Sequence, residues 1–459
     1  MKQFGTDGLR GEYGKVVTED DAFLLGIYLG SKNAMTVIAR DPRESGKTLL
    51  AALAAGIREA EGRYLSLGVA GTSEICFAVT WGKFDGGVVV TASHNTSKDN
   101  GLKVIGRGGK ELTETECRRI ERYLEKPYPK IPYPPMPSGL DQRTGEALRI
   151  HKAYLHYLRS FCGWDDRAEG SLPPLSGLRL GLDCANGAAA LTAPALFESL
   201  GAQVHLVGAS PDGRNINEGC GSTHPEALQK LVAEKELDAG FAYDGDADRC
   251  IMAGPGGKRI DGDGILYLCA GTGNRNRGED ADARNKPLVV GTVMSNLGLE
   301  QALGERGIRL LRADVGIHAV ARKMEETGAS LGGEPSGHIL FAGAKTGGDG
   351  ILTSLICASL LKKGGSSRLL DGFFSYPQTL CNVKVRDKRQ VLSNPEVSAA
   401  FMQLSEEYKG RGRLLLRPSG TEEVFRVMAE AESESLSRKL AEEMADICRR
   451  ACGAEEEKT

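Results

Sequence analysis

No stretch of about 18 apolar residues, the length a membrane-spanning helix needs, occurs in the 459-residue chain. The opening "MKQFGTDGLRG" has no apolar core either, so it does not read as a signal peptide. An excess of one charge is lacking as well: 58 Lys and Arg stand against 61 Asp and Glu, a formal net charge of -3. That balance gives no electrostatic case for nucleic acid or an anionic membrane as partner. The 11 cysteines are scattered and no Cys-x-x-Cys occurs. No disulfide framework or zinc site is therefore expected, and a reducing, cytoplasmic setting is. Cys448 and Cys452, four apart on an expected helix, read as small apolar residues. Glycine, by contrast, is abundant at 60 residues, many of them at strand-to-helix joints. Backbones that approach phosphates closely need glycine there. With 41% hydrophobic and 26% charged residues the composition is that of a soluble globular protein, and the length calls for two to four domains.

Strand and helix signals alternate along most of the chain. "MTVIAR" (35–40) reads as a buried strand, and "KTLLAALAAGIREAEG" (47–62) places Leu49, Leu50, Leu53, Ala54 and Ile57 on one helical stripe. "GGVVVTAS" is the next strand. Six prolines in "PYPKIPYPPMPSG" (127–139) exclude regular structure and mark a surface connection near a boundary. The β-α-β order then restarts at "LRLGLDC" and again at "KPLVVGTV". This predicts three similar α/β domains with mixed, largely parallel sheets, followed from about residue 375 by a smaller α+β domain.

Four loops carry chemistry. In "VVVTASHNTSKDNGLKV" (88–104) an apolar strand leads into Thr91, Ser93, His94 and Lys103. Ser93 follows a strand, where open α/β sheets put their ligand crevice. A Ser-His hydrolase is one reading, but Ser93 and His94 are chain neighbours and the Gly-x-Ser-x-Gly elbow is missing. A serine that carries phosphate is the other, and it needs a metal and cations more than a triad. The second loop, "YDGDADRC" (243–250), alternates Asp244, Asp246 and Asp248, as ligands of one hard cation do. It is not an EF-hand, because Arg249 and Pro255 occupy the glycine and glutamate positions. An aspartyl-nucleophile phosphatase stays open here, although no Asp-x-Asp-x-Thr pattern is present. With oxygen ligands alone the expected ion is Mg²⁺.

In the third loop, "GGEPSGH" (332–338), Glu334 and Ser336 can hydrogen-bond sugar hydroxyls, and His338 is a candidate acid or base. A plain glycine turn is the rival reading. In the fourth, "RPSGTEEVFR" (417–426), Arg417, Ser419, Gly420, Thr421 and Arg426 offer guanidinium forks, hydroxyls and loop amides suited to a phosphate dianion. Arg10, between the glycines of "FGTDGLRG" (4–11), sits where a backbone can lie close to a ligand. Together the loops imply a phosphorylated small molecule, a hard cation and a serine acceptor.

The set "FGTDGLRG", "TASHN", "DGDADR", "GEPSG" and "RPSGTE" stands in the order found in the α-D-phosphohexomutases, and the chain resembles that family over essentially its full length. "LDCANGAA" (182–189), "GCGSTHPEAL" (219–228) and "VGTVMSNLGLE" (290–300) are most similar to its glucosamine-phosphate branch. The resemblance implies four domains around a central cleft: 1–145 with the serine loop, 146–253 with the metal loop, 254–372 with the sugar loop and 373–459 with the phosphate loop. It implies that Ser93 carries the phosphoryl group and binds Mg²⁺ together with Asp244, Asp246 and Asp248. Arg10, Lys103, Arg249 and His338 would assist catalysis. His94, Glu334 and Ser336 would contact substrate, and Arg417, Ser419, Gly420, Thr421 and Arg426 would hold the unreacting phosphate. A bisphosphorylated sugar would be intermediate and activator, and the protein a monomer or homodimer whose partner is a hexose or amino-sugar phosphate. The implied reaction exchanges glucosamine-6-phosphate and glucosamine-1-phosphate, feeding UDP-N-acetylglucosamine and cell-wall synthesis. A mannose or glucose phosphate mutase, and a non-catalytic sugar-phosphate binder, are the alternatives. The chain departs from the family wording at Thr96, Ala247 and Glu423, at "GVAGTS" (68–73) and at "ADVGIHAV" (313–320).

Overall fold

The computed structural model describes residues 4–452 except 6, 33, 83, 127–132, 134–136, 138, 144, 166–170, 271–286, 366–369, 385–386 and 419–423. By contacts the chain divides into two compact units, Met1–Asp280 with Gly316–Leu369, and Ala281–Val315 with Leu370–Thr459.

The first unit holds two five-stranded sheets of the same design. One contains β1 (Leu9–Glu12), β2 (Met35–Arg40), β3 (Arg63–Val69), β4 (Gly86–Val90) and β5 (Asp99–Ile105), in the order β1-β5-β4-β2-β3. The other contains β6 (Arg179–Asp183), β7 (Gln203–Val207), β8 (Ala239–Tyr243), β9 (Cys250–Ala253) and β10 (Arg259–Ile260), in the order β10-β9-β8-β6-β7. In each, three parallel strands are extended by two antiparallel ones. The antiparallel turns β4–β5 and β8–β9 therefore occupy equivalent places, and these turns are the serine and aspartate loops. Two further segments take the labels β11 (Leu288–Thr292) and β12 (Arg309–Ala313), a parallel pair in the second unit. Back in the first unit, β13 (Leu331–Gly333) and β14 (Ile339–Phe341) form an antiparallel hairpin whose turn is the "GEPSG" loop.

Helices cover the sheets because their apolar stripes need burial. The helix Gly46–Glu59 buries Leu49, Leu50, Leu53, Ala54 and Ile57, the stripe read from sequence. Each fully buried leucine contributes about 1.5–3 kcal/mol. This helix packs closely on Glu19–Gly30, because Gly26 and Gly56 have no side chain at the crossing. A Cβ on Gly56 would stand 2.1 Å from the Phe23 carbonyl oxygen, and one on Gly26 would stand 2.3 Å from that of Leu53. A capping box at Thr18 and Asp21 starts the first helix.

In the second unit, β15 (Gln378–Lys384), β16 (Gly412–Pro418) and β17 (Val424–Ala431) make an antiparallel sheet in the order β15-β17-β16. The helices Pro395–Glu407 and Glu434–Cys452 pack on it, around Val397, Phe425, Val427, Leu440 and Met444. This is the smaller α+β arrangement expected, with an additional helix, Lys388–Ser393, in front of Asn394. Cys448 is a buried member of that core, as its apolar reading anticipated. Most of the proline-rich segment lies outside the described residues, but Tyr133 packs on Phe23 and donates its hydroxyl to Asp20. Ten of the 11 cysteines are free thiols among the described side chains. Among the described residues no helix is long and apolar enough to cross a membrane.

Candidate active site

The three hairpin turns of the first unit bring most of the expected residues together. Ser93 follows β4, is buried, and has a left-handed backbone with φ +49°. Its Oγ donates to Asp244 Oδ2 at 2.6 Å, across 151 residues of chain. Asp244, Asp246 and Asp248 are all buried, and one oxygen from each lies within 4.8 Å of the others. Asp246 Oδ1 and Asp248 Oδ1 accept no hydrogen bond from the described residues. Buried carboxylate oxygens without a donor are costly, and a hard cation relieves that cost. The donor set, oxygen only and tightly clustered, fits Mg²⁺.

Lys103 corrects the sequence reading of where it sits. It lies on β5 instead of in the loop, and Arg10 lies on β1, beside β5. Both strands escaped detection because "LRGE" is short and "DNGLKVI" has four of its seven positions filled by Asp, Asn, Gly and Lys. From β5 the Lys103 Nζ reaches Asp248 Oδ2 at 3.0 Å, and both side chains are buried. Arg249 donates its backbone N–H to Asp244 Oδ1 at 3.1 Å, with Nε 3.9 Å from both Asp244 and Asp248.

The charges sort the three carboxyls. Burial, then repulsion by Asp246 and Asp248, pushes the Asp244 carboxyl well above its ordinary range. Burial opposes ionisation of Asp248 too, but Lys103, His338 and Arg249 hold it well below that range. Against its own burial, Lys103 is held above its ordinary value by Asp248 and Asp246. Desolvation lowers His338, opposed by Asp248 and reinforced by Lys103 and Arg249. Burial with Arg249 and Arg10 lowers His94 likewise. Both imidazoles are thus biased toward the neutral form, which accepts protons.

His338 closes the β13–β14 turn and lies against Gly348, where a Cβ would stand 1.8 Å from Nε2. Glu334 accepts the Gly316 N–H at 2.9 Å, and Ser336 Oγ is buried with no hydrogen-bond partner among the described residues. In the second unit, Arg417 and Arg426 stand directly opposite each other on β16 and β17. Like charges in that register are destabilising, and an anion between them relieves the repulsion. Ser419, Gly420, Thr421 and Glu423 lie outside the described residues.

Three residues went unnoticed in the sequence. Thr72 donates its Oγ1 to Asp246 Oδ2 at 2.6 Å and its N–H to the Asp246 carbonyl at 3.0 Å. Arg43 and Asn217 hold the serine loop from beneath. The one available signal was position: Arg43 and Thr72 follow the C-terminal ends of parallel strands, where crevices form.

Family models described as the α/β/α domains I, II and III of phosphoglucomutase/phosphomannomutase match residues 1–130, 152–257 and 261–374, and the C-terminal domain model matches 380–447. A phosphoglucosamine mutase of Geobacillus kaustophilus is 39% identical over 462 residues, covering 99% of this chain and 100% of that protein. One from Thermus thermophilus is 41% identical over 453 residues, covering 96% and 97%. Among solved structures, a phosphoglucomutase/phosphomannomutase family protein of Burkholderia thailandensis superposes with a TM-score of 0.76 at 24% identity, covering 98% of this chain and 97% of that one. An N-acetylphosphoglucosamine mutase of Aspergillus fumigatus, solved with GlcNAc-6P and magnesium, gives 0.67 at 18%, covering 98% and 96%.

Proposed function

The chain belongs to the phosphoglucomutase/phosphomannomutase family of isomerases, and from that premise we propose that it interconverts glucosamine-6-phosphate and glucosamine-1-phosphate through a phosphorylated Ser93. The choice of glucosamine is supported by the names of relatives about 40% identical over nearly the whole chain. The observation that carries the mechanism is the Ser93 hydroxyl, 2.6 Å from Asp244 in a cluster of three buried carboxylates.

Phosphorylated Ser93 gives its phosphoryl group to a free hydroxyl of a sugar monophosphate. The bond from phosphorus to Ser93 Oγ breaks, one to the sugar oxygen forms, the sugar hydroxyl proton passes to a base, and Ser93 Oγ takes up a proton as it leaves, restoring the free hydroxyl. His338, buried and biased neutral, is suited to that role. The resulting bisphosphorylated sugar turns over, and its other phosphoryl group returns to Ser93. Asp244, Asp246 and Asp248 would hold Mg²⁺, which when bound supplies charge neutralisation at the transferring group. Lys103, Arg249 and Arg10 add cationic charge, Glu334, Ser336 and His94 contact the sugar, and the Arg417–Arg426 pair with the 419–421 loop takes the distant phosphate. Positioning and charge account for most of the acceleration, because phosphoryl transfer asks little covalent chemistry of the protein. The four domains proposed, 1–145, 146–253, 254–372 and 373–459, each supply one loop, in line with the four family segments.

The test is Ser93→Ala, assayed for turnover and for sugar-phosphate binding. Turnover should vanish while glucosamine-6-phosphate still binds, and the parent chain should carry one phosphate on the Ser93 peptide by mass. A Ser93→Ala variant with normal turnover refutes the carrier role. Side-by-side rates on glucosamine, glucose and mannose phosphates test the sugar assignment, which fails if glucosamine phosphate is not the preferred substrate.

A further inference from the structure

We infer that Arg43 and Asn217 are positioning residues for Ser93: together they grip its peptide carbonyl, keep its backbone left-handed, and so keep its hydroxyl on Asp244. The inference rests on the carrier role proposed for Ser93.

Left-handed backbone is unfavourable for a residue with a side chain, and it persists where the surroundings over-determine it. At Ser93 they do. Arg43 is fully buried, and its guanidinium is directed at the serine loop. Nη2 donates to the carbonyls of Ser93 at 3.0 Å and Asn95 at 2.8 Å. Nη1 donates to the carbonyls of Thr96 and, at 3.2 Å, Asp99. Nε holds Asp41 Oδ2 at 2.9 Å.

Asn217 comes from the other sheet's side, in the stretch after β7, and its Nδ2 reaches the same two carbonyls, Ser93 and Asn95, each at 2.8 Å. Two donors from different sheets thus converge on one pair of acceptors. The other side of the residue is tied as well: the Ser93 N–H donates to Thr91 Oγ1 at 2.9 Å, and Thr91 Oγ1 donates to Asp41 Oδ2 at 2.7 Å. Asp41 is the carboxylate that pairs with Arg43, so the ring closes. With both peptide groups of Ser93 fixed, φ and ψ are set, and with them the direction of the Cα–Cβ bond from which Oγ reaches Asp244. Relaxation to a helical or extended backbone would swing Oγ off Asp244. Glue for the fold alone would not require both donors to select the carbonyl of the reacting residue.

Asn217→Gly is the cleaner probe, because Asn217 itself has φ +57°, which glycine adopts freely. Arg43→Lys keeps the charge but loses the planar fork. Both are read for kcat, KM, melting temperature and the rate at which a bisphosphorylated hexose phosphorylates Ser93, followed by intact mass. We expect kcat and the phosphorylation rate to fall roughly 10- to 100-fold with KM within about twofold, the signature of a misplaced reacting group. If Arg43→Lys does not fold, Asn217→Gly decides alone. A folded Asn217→Gly that phosphorylates Ser93 at the parental rate overturns the inference, even if it melts lower. The Ser93→Ala control separates the two levels: if it is inactive while Asn217→Gly is normal, only the positioning role falls, and if it is active, the carrier reading falls first.

Discussion

Replacing Lys103 with methionine isolates the electrostatics of the acidic cluster. Methionine matches the length and apolar stem of the lysine and removes only the ammonium. In the parent, Nζ lies 3.0 Å from Asp248 Oδ2 with both side chains about 4% exposed. At an effective dielectric near 20 that separation corresponds to about 5–6 kcal/mol of gross attraction. In Lys103→Met, Asp248 stays buried beside two other carboxyls, with the Arg249 Nε still 3.9 Å away. Stranding one partner of a buried pair costs about 3–5 kcal/mol, and that is the loss expected at pH 7 without metal. The sign of the pH dependence follows from Asp248, whose folded pKa lies below its unfolded one. Its contribution is present above the unfolded value and fades as pH falls, so parent and variant should converge in acid. Excess Mg²⁺, supplying the missing positive charge, should return part of the loss. The assay is urea unfolding of parent and variant in chelator at pH 7, repeated in acid and with Mg²⁺. A variant within about 1 kcal/mol of the parent in chelator at pH 7 would show that Lys103 does not compensate the cluster.

Three further outcomes can be checked. Arg417→Ala should weaken sugar-phosphate binding roughly 10- to 100-fold by calorimetry, the loss of a charged hydrogen-bonding fork, with Mg²⁺ affinity within about twofold; unchanged sugar-phosphate affinity removes that arginine from the phosphate clamp. Burial raises the Asp349 carboxyl from 3.8 to about 6 against hydrogen bonds from Leu352 N–H and the Tyr154 hydroxyl, so the stability it contributes at low pH is lost as pH rises through about 6. That rise corresponds to about 3 kcal/mol, and Asp349→Asn should gain on the parent between pH 4 and 6 and stay level above; parallel curves contradict the assignment. Ala247→Gly, at φ +59°, should stabilise by roughly 0.5–1 kcal/mol, because relief of left-handed strain outweighs the added freedom of the unfolded chain; a less stable variant shows that the turn carries no such strain.

What the sequence disclosed follows the range over which each signal acts. The strand at 35–40 and the helix stripe from Leu49 to Ile57 are local patterns, and the structure places them where the periodicity does. Ser93 and the three aspartates were readable because their chemistry sits in short motifs. Lys103 and Arg10 were readable as residues but not as strand residues, because a buried strand rich in Asp, Asn, Gly and Lys has no apolar alternation to betray it. Thr72 and Arg43 gave no sign beyond their places after parallel strands, and Asn217 gave none, since their partners lie 174, 50 and 124 residues away in the chain. Each looks like an ordinary loop residue until the sheets are folded.

The left-handed residues follow the same logic at the level of design. Of the seven non-glycine residues with positive φ among the described residues, Ser93 lies in the β4–β5 turn, Ala247 in the equivalent β8–β9 turn, and Ala185, Asn186 and Asn217 in connections on the β6–β7–β8 side. Strain is thus concentrated where the two sheets meet, and the bonds that hold it cross from one sheet to the other: Thr72 to Asp246, Ser93 to Asp244, Asn217 to Ser93. Each turn has bonds of its own, such as Ser93 N–H to Thr91 Oγ1 and Arg249 N–H to Asp244 Oδ1, but the Ser93 carbonyl and the Asp246 carboxylate take donors from outside their turns. A single α/β layer of this kind would present a serine or an acidic trio, each free to relax. It is the repetition of one topology, with the same antiparallel turn brought to the same place twice, that locks the hydroxyl and the carboxylates against each other.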